Sequence, residues 1–176
     1  MPTSDNRKVG SMKGIVVYES LWGNTAAIAR AIAEGIGPEA RALTTDEATA
    51  AAIADADLIV AGAPVLGFTL PSERMRKSLR ADSGPAPTPP DLSHPSMRSW
   101  LDALPAGHGC AAAFETRVRG PWGRATKTIV QGLERAGYRS VAKSASFIVT
   151  GRYGPLRDGE TQRAREWGAE LVKLVK

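Results

Sequence analysis

A doubly wound α/β domain is the fold class this sequence predicts, and three observations predict it. Residues 15–18, Ile-Val-Val-Tyr, form a continuous apolar run of β-favouring residues, as in a strand buried on both faces. A turn of small and hydroxyl residues follows over 19–25, and then Ile28, Ile32 and Ile36 recur at helical spacing with alanines between. The same alternation of short apolar runs and periodic segments continues to the C-terminus, giving five strands in all. That is the pattern of a parallel sheet covered by helices.

The first turn carries the chemistry. A helix that begins straight after a strand presents unpaired N–H groups and the positive end of its dipole, an arrangement that attracts phosphate. Ser20, Asn24 and Thr25 can each donate a hydrogen bond there, and Gly23 lets the backbone come close. No Lys or Arg lies between Glu19 and Ala29, and Glu19 is itself negative. A magnesium triphosphate would want a Gly-Lys-Ser/Thr ending, and a dinucleotide would want G-x-G-x-x-G; neither is here. What remains is a loop of neutral donors suited to a single phosphomonoester.

The remaining elements follow in order. Gly35 and Gly37-Pro38 read as the stop of the first helix. Residues 39–43 read as a short, weak strand. Thr45-Asp46-Glu47 reads as the cap of a second helix reaching Ile53, and residues 57–61 as the next buried strand. Residues 62–71, Gly-Ala-Pro-Val-Leu-Gly-Phe-Thr-Leu-Pro, hold apolar residues outside any period. Val65, Leu66 and Phe68 either tuck onto the core or line an apolar ligand site. Pro71-Ser72-Glu73 opens a basic third helix through Arg80. Residues 81–95 are dense in proline and read as an extended surface loop. They are not a domain linker, because neither half makes a complete doubly wound fold. Residues 96–104 read as a short helix anchored by Trp100 and Leu101. Residues 109–114, mostly alanine, read as a fourth strand whose small side chains let helices pack close. Residues 115–123 read as a third loop, 124–136 as a helix ended by Gly137, and 146–150 as the fifth strand. A last amphipathic helix spans about 158–175, with Ala164, Trp167, Leu171 and Val175 on its core face.

The run Val16-Val17-Tyr18-x-Ser20-x-x-Gly23-x-Thr25-x-x-x-Ala29-x-x-Ile32 resembles the flavodoxin signature at each position of that pattern. The resemblance covers residues 13–171. It implies one flavodoxin-like domain over 13–176, a three-layer sandwich around a five-stranded parallel sheet in the order 2-1-3-4-5, and FMN held non-covalently. In such a sheet the ligand crevice lies where strand order reverses, between the first and third strands. By resemblance, Ser20, Asn24 and Thr25 bind the phosphate, and Leu21, Trp22 and Gly23 belong to the same cofactor-binding turn. Pro64, Val65, Leu66, Gly67 and Phe68 lie on the isoalloxazine ring. Glu115, Thr116, Arg117, Gly120, Trp122 and Gly123 meet its pyrimidine edge. Trp22 either caps the core or borders the ribityl chain and ring. Phe68 is the expected partner of a ring face, with Tyr153 and Trp122 as further candidates. Long-chain flavodoxins carry an insertion in the last strand; the 81–95 segment is elsewhere, so the chain is not of that variety.

Composition bounds the rest. The 176 residues, 43% hydrophobic, suffice for one domain with a proper core. No apolar run approaches the roughly 20 residues of a membrane span. Residues 1–12 are polar, lack the apolar stretch of a secretory signal, and read as a flexible tail in which Met12 is an alternative start. Cys110 is the single cysteine, so no intrachain disulfide forms, which fits a cytoplasmic protein; it reads as a buried inert thiol rather than a reactive one. His94 and His108 have no ligand-like spacing, and no metal site is expected. The net charge is +5 and the pI about 9.7. The basic residues are dispersed among acids and not interleaved with aromatics, which reads as a solvated basic surface rather than a nucleic-acid site.

No nucleophile has a histidine beside it and no catalytic residue is named, as expected where a cofactor carries the chemistry. One departure from the family pattern bears on function. Electron-carrier flavodoxins are typically acidic, whereas this chain is basic and its third loop offers Arg117 and Arg119, with Arg124 close by. A guanidinium near flavin N1 would stabilise an anionic reduced flavin and favour two-electron chemistry on a small acceptor such as a quinone. The alternative is that these arginines point to solvent. Three functions stay open: an FMN-dependent oxidoreductase with a small-molecule acceptor, an electron carrier to a redox protein, and a flavin-free binding module.

Overall fold

The computed structural model describes residues 12–82 and 84–175. Residues 1–11, most of the expected tail, lie outside them; Met12 packs against the core. Strand β1 (Gly14–Tyr18) runs parallel to β2 (Arg41–Thr44) on one side and β3 (Leu58–Pro64) on the other. β3 pairs with β4 (Cys110–Val118). The far edge of β4 is covered in two pieces. β5 (Arg139–Ser140) pairs with its start, at Cys110 and Ala111, and β6 (Ala145–Val149) with its end, at 114–118. The order is β2-β1-β3-β4-β5 with β6 on β4, parallel throughout: the flavodoxin-like sheet, with a fifth strand broken in the middle.

Alternation along the strands sends successive side chains to opposite faces. Val16, Tyr18, Val60, Phe114 and Phe147 face α1 (Asn24–Ile36) and α6 (Glu160–Leu174), whose Ile28, Ile32, Ala164 and Leu171 complete that layer. Ile15, Val17, Ile59, Ala61, Ala111 and Ala113 face the other way. There they meet Ile53 of the one-turn helix α2 (Ala50–Ile53), Trp100 and Leu101 of α4 (Met97–Ala103), and Ile129 and Leu133 of α5 (Thr126–Arg135). Helix α3 (Glu73–Ala81) starts at Ser72 and α4 at Ser96, each a side-chain cap. Cys110 is buried in β4. No helix among the described residues is long and apolar enough to cross a membrane.

Several sequence expectations are corrected. Gly35 does not stop α1; it lies inside the helix, where a Cβ would overlap the backbone of Arg165. Thr45-Asp46-Glu47 does not cap α2. Thr49 does, accepting from Ala52 N at 3.2 Å, while Thr44 hydrogen-bonds to the Asp46 and Glu47 carboxylates in a local turn. β3 continues past Ala61 through Pro64, and β4 past Phe114 through Val118, because the two strands pair in register to Pro64↔Thr116. Glu115, Thr116 and Arg117 are thus buried strand residues and not a loop. Residues 84–95 are the mostly exposed, irregular loop expected, and two hydrogen bonds tie it to the first turn: Asp91 N donates to Leu21 O at 2.8 Å, and Trp22 Nε1 to Thr88 O at 3.2 Å.

Candidate functional site

The site begins where β1 gives way to α1. Glu19 turns inward. Its carboxylate is fully buried and accepts from Arg76 Nη1 at 2.7 Å and Met97 N at 2.9 Å. Burial pushes its pKa up, against the pull of the Met97 N–H and the Arg76 guanidinium. The one negative charge of the turn is therefore spent inside the protein rather than toward an anion. Ser20 Oγ accepts from Gly23 N at 3.1 Å, which leaves its own hydroxyl proton for another acceptor. Gly23 opens α1 in the left-handed region, φ 93°, with no side-chain cap. The first helix bond is Ala27 N to Gly23 O, so the N–H groups before it have no intrahelical partner. Thr25 and Thr116 share a hydrogen bond between hydroxyls at 2.7 Å, and Asn24 Nδ2 donates to Tyr153 O at 3.1 Å.

Two further walls come from the ends of β3 and β4. Val65 N donates to Thr116 O at 2.9 Å, so the wall beyond β3 is tied to β4. Leu66 and Thr69 then close a two-residue hairpin through Leu66 N to Thr69 O, 2.9 Å, and Thr69 N to Leu66 O, 3.2 Å. Both central residues have positive φ: Gly67 at 56° and Phe68 at 70°. This is the mirror-image turn that suits strand twist. Gly123 fits against it so closely that a Cβ there would overlap Phe68 O. The Phe68 and Trp122 rings stand 6.1 Å apart, tilted by 45°, and Trp22 meets Tyr153 edge-on at 4.7 Å.

These walls enclose a cavity of about 960 Å³, at the upper end of the range for small-molecule sites. Of the residues expected at the site, Ser20, Leu21, Trp22, Asn24, Thr25, Pro64, Val65, Leu66, Gly67, Phe68, Thr116, Arg117 and Trp122 line it. Gly23, Glu115, Gly120 and Gly123 do not. The three glycines shape the backbone behind the lining. Glu115 is turned away and fully buried, accepting from Ala125 N at 2.7 Å, Thr126 N at 3.1 Å and Ser146 Oγ at 2.8 Å. It caps α5, and Arg124 joins it at 3.1 Å instead of facing the cavity.

Arg117 is buried and faces the cavity. Its guanidinium donates to Gly120 O and lies 3.8 Å from Glu115 Oε1, which offsets part of its field. Arg119 is exposed. The sequence does not announce one wall: Arg74, Met75, Ser78 and Leu79 of α3, with its flanking caps Ser72 and Asp82. Val118, Val149 and Arg152 complete the lining. The signal for the α3 wall was present, since 72, 75, 79 and 82 follow helical spacing. In the sequence the basic charge of this helix masks that spacing.

A scan against protein-family models finds no match, and a search of curated proteins finds none either. Solved structures do match. A flavodoxin from the domain Archaea superposes with TM-score 0.64 at 20% identity, over 93% of this chain and 99% of its own. A WrbA-like flavodoxin protein from Agrobacterium tumefaciens gives 0.58 at 21%, over 94% and 98%. The Flv1 flavodiiron core from Synechocystis gives 0.59 at 19%; this chain is 95% covered but spans only 36% of that protein. At these identities the likeness establishes the fold. The chain has the flavodoxin-like fold, with its cavity at the reversal of strand order between β1 and β3.

Proposed function

We propose that the chain binds FMN non-covalently in this cavity and works as an FMN-dependent redox protein. The observation that carries this reading is the opening of α1. An uncapped helix N-terminus, with the Ser20 and Thr25 hydroxyls beside it and Glu19 withdrawn onto Arg76, opens on a largely apolar cavity of about 960 Å³. The donor set is neutral, and the helix N-terminus supplies the positive field that suits a phosphomonoester. Ser20, Asn24 and Thr25 would hold the phosphate. Val65, Leu66, Phe68 and Trp122 would border the ring and exclude water, and Thr116 and Arg117 would meet its polar edge. When bound, FMN supplies one- and two-electron redox chemistry, and the protein supplies position and electrostatics.

A second reading is favoured by one observation, the Arg117 guanidinium in the cavity wall. A fixed positive charge there supports an oxidoreductase that passes electrons in pairs to a small acceptor such as a quinone, rather than a single-electron shuttle. Turnover of NAD(P)H with a soluble quinone separates the two.

The cofactor reading is tested by titrating the apoprotein with FMN, riboflavin and FAD, followed by flavin fluorescence. FMN is expected to bind far more tightly than riboflavin. Ser20→Ala is expected to weaken FMN by about tenfold, the worth of one charge-assisted hydrogen bond, and to leave riboflavin unchanged. Equal binding of FMN and riboflavin would remove the phosphate turn from the argument.

A further inference from the structure

We propose that the mouth of this cavity is a docking face for an acidic protein that exchanges electrons with the bound flavin, a proposal that rests on the FMN reading for the electrons but not for the contact. Four large hydrophobic residues stand exposed among the described residues, and three of them, Phe68, Val118 and Trp122, line this cavity. Phe68 is 63% exposed and Trp122 51%. Around them stand Arg74 on α3, Arg119 in the loop after β4, and Arg152 in the loop after β6, all exposed. None of the three forms an ion pair among the described residues, and Arg152 lies 5.6 Å from the centre of the Tyr153 ring. Asp82 is the only carboxylate among the described lining residues.

Aromatic residues, Met and Arg, with few acids, are the composition of a protein interface core. The placement of the arginines decides the kind of partner. They come from three separate elements, Arg74 and Arg152 in the cavity lining and Arg119 in the loop that carries Trp122, so the charges are not gathered on one element. A small free anion is held by converging donors. A protein face with scattered carboxylates around an apolar centre fits separated guanidiniums. The net charge of +5 adds attraction of the same sign at long range, which speeds encounter with an acidic partner. Phe68 and Trp122 would then serve both the flavin and the partner, as suits a face across which electrons pass.

Calorimetric binding to two probes tests this: an acidic two-iron ferredoxin, and a basic c-type cytochrome as the charge-reversed control. The ferredoxin is expected to bind, with affinity falling at least about tenfold between about 20 mM and about 200 mM salt. The triple variant Arg74→Glu, Arg119→Glu, Arg152→Glu is expected to lose the ferredoxin and gain the cytochrome, with its fold checked by circular dichroism. Should the triple variant not fold, Arg119→Glu alone is expected to weaken the ferredoxin by several-fold. Preference of the unmodified protein for the cytochrome would overturn the proposal, as would ferredoxin binding indifferent to these substitutions. Tighter binding to phosphatidylserine-containing vesicles or to a DNA duplex than to the ferredoxin would also overturn it, in favour of those surfaces. Salt-dependent ferredoxin binding without FMN uptake would refute the cofactor and leave the face standing; FMN uptake without ferredoxin binding would do the reverse.

Discussion

Phe68 sits at φ 70°, where its Cβ crowds its own backbone. For a residue without an amide or carboxylate to help, that conformation costs about 1–2 kcal/mol. The surroundings enforce it. The hairpin closed by Leu66 and Thr69 needs two positive-φ residues, and Gly123 presses on the Phe68 carbonyl from the next wall. A glycine or asparagine would satisfy the turn at lower cost, so the ring itself is what the position retains. Replacing Phe68 with Asn, which tolerates this region, is expected to raise the unfolding free energy by about 0.5–1 kcal/mol. The same substitution is expected to weaken FMN. Urea unfolding of the apoprotein and flavin titration, run side by side, check both halves. A less stable variant would mean that the contact of Phe68 with Trp122 outweighs the backbone strain.

Helices α1 and α6 show the same kind of trade at the scale of elements. They cross with glycines at the contact: Gly35 of α1 lies against the Arg165 carbonyl, and Gly168 of α6 against the Ile32 carbonyl. No side chain fits between the two backbones. Gly168→Ala is therefore expected to destabilise the fold by about 1–3 kcal/mol through overpacking, despite the better helix propensity of alanine. Thermal unfolding measures it, and an unchanged or raised midpoint would show that the helices can separate at little cost.

Gly35 also shows why parts of the fold were not legible in the sequence. Glycine reads as punctuation along one helix, and nothing local reveals a second helix seated on it. Glu115 and Arg117 look like loop residues in the sequence because polar residues after an apolar run normally leave the core. Here the run of paired strand continues, and the α5 N-terminus supplies Glu115 with buried partners. β5, two residues long, is too short to leave a pattern. The buried strands around 15–18 and 57–61 and the helix starts at Ser72 and Ser96 are legible, because apolar runs and the onset of a helical period carry their meaning locally. The strand–turn–helix over 14–36 is legible for the same reason, whereas the α3 wall is made by the approach of distant elements.

At the scale of the whole molecule, the last strand and last helix are latched together by one carboxylate. Glu160, the first residue of α6, is buried and accepts from Ile148 N of β6 at 2.7 Å, from Arg157 at 3.0 Å and from Arg163 at 2.7 Å. Arg163 also donates to Ser146 O and lies 4.6 Å above the Phe147 ring. Burial disfavours the charged form of Glu160, but these donors outweigh it and hold the pKa at about 2, below the usual 4.5. A carboxylate whose pKa is lowered by folding contributes stability above its unfolded value. That contribution is fully present above about pH 4.5 and disappears as the pH falls toward 2, amounting at most to about 3 kcal/mol. Asp91 and Glu73 shift the same way through serine hydroxyls. Acid also adds positive charge to a chain already at +5, so general repulsion grows over the same range. Glu160→Gln separates the two effects. It keeps the shape and one acceptor oxygen but not the charge. The variant is expected to be about 2 kcal/mol less stable at pH 7, and its deficit is expected to shrink steadily from pH 5 to pH 3. The repulsion acts on both proteins and cancels in the difference. Urea unfolding of the pair at several pH values reads that difference directly. A deficit that stays constant into acid would assign the role of Glu160 to shape and hydrogen bonding, and leave its charge no part in holding α6 to the sheet.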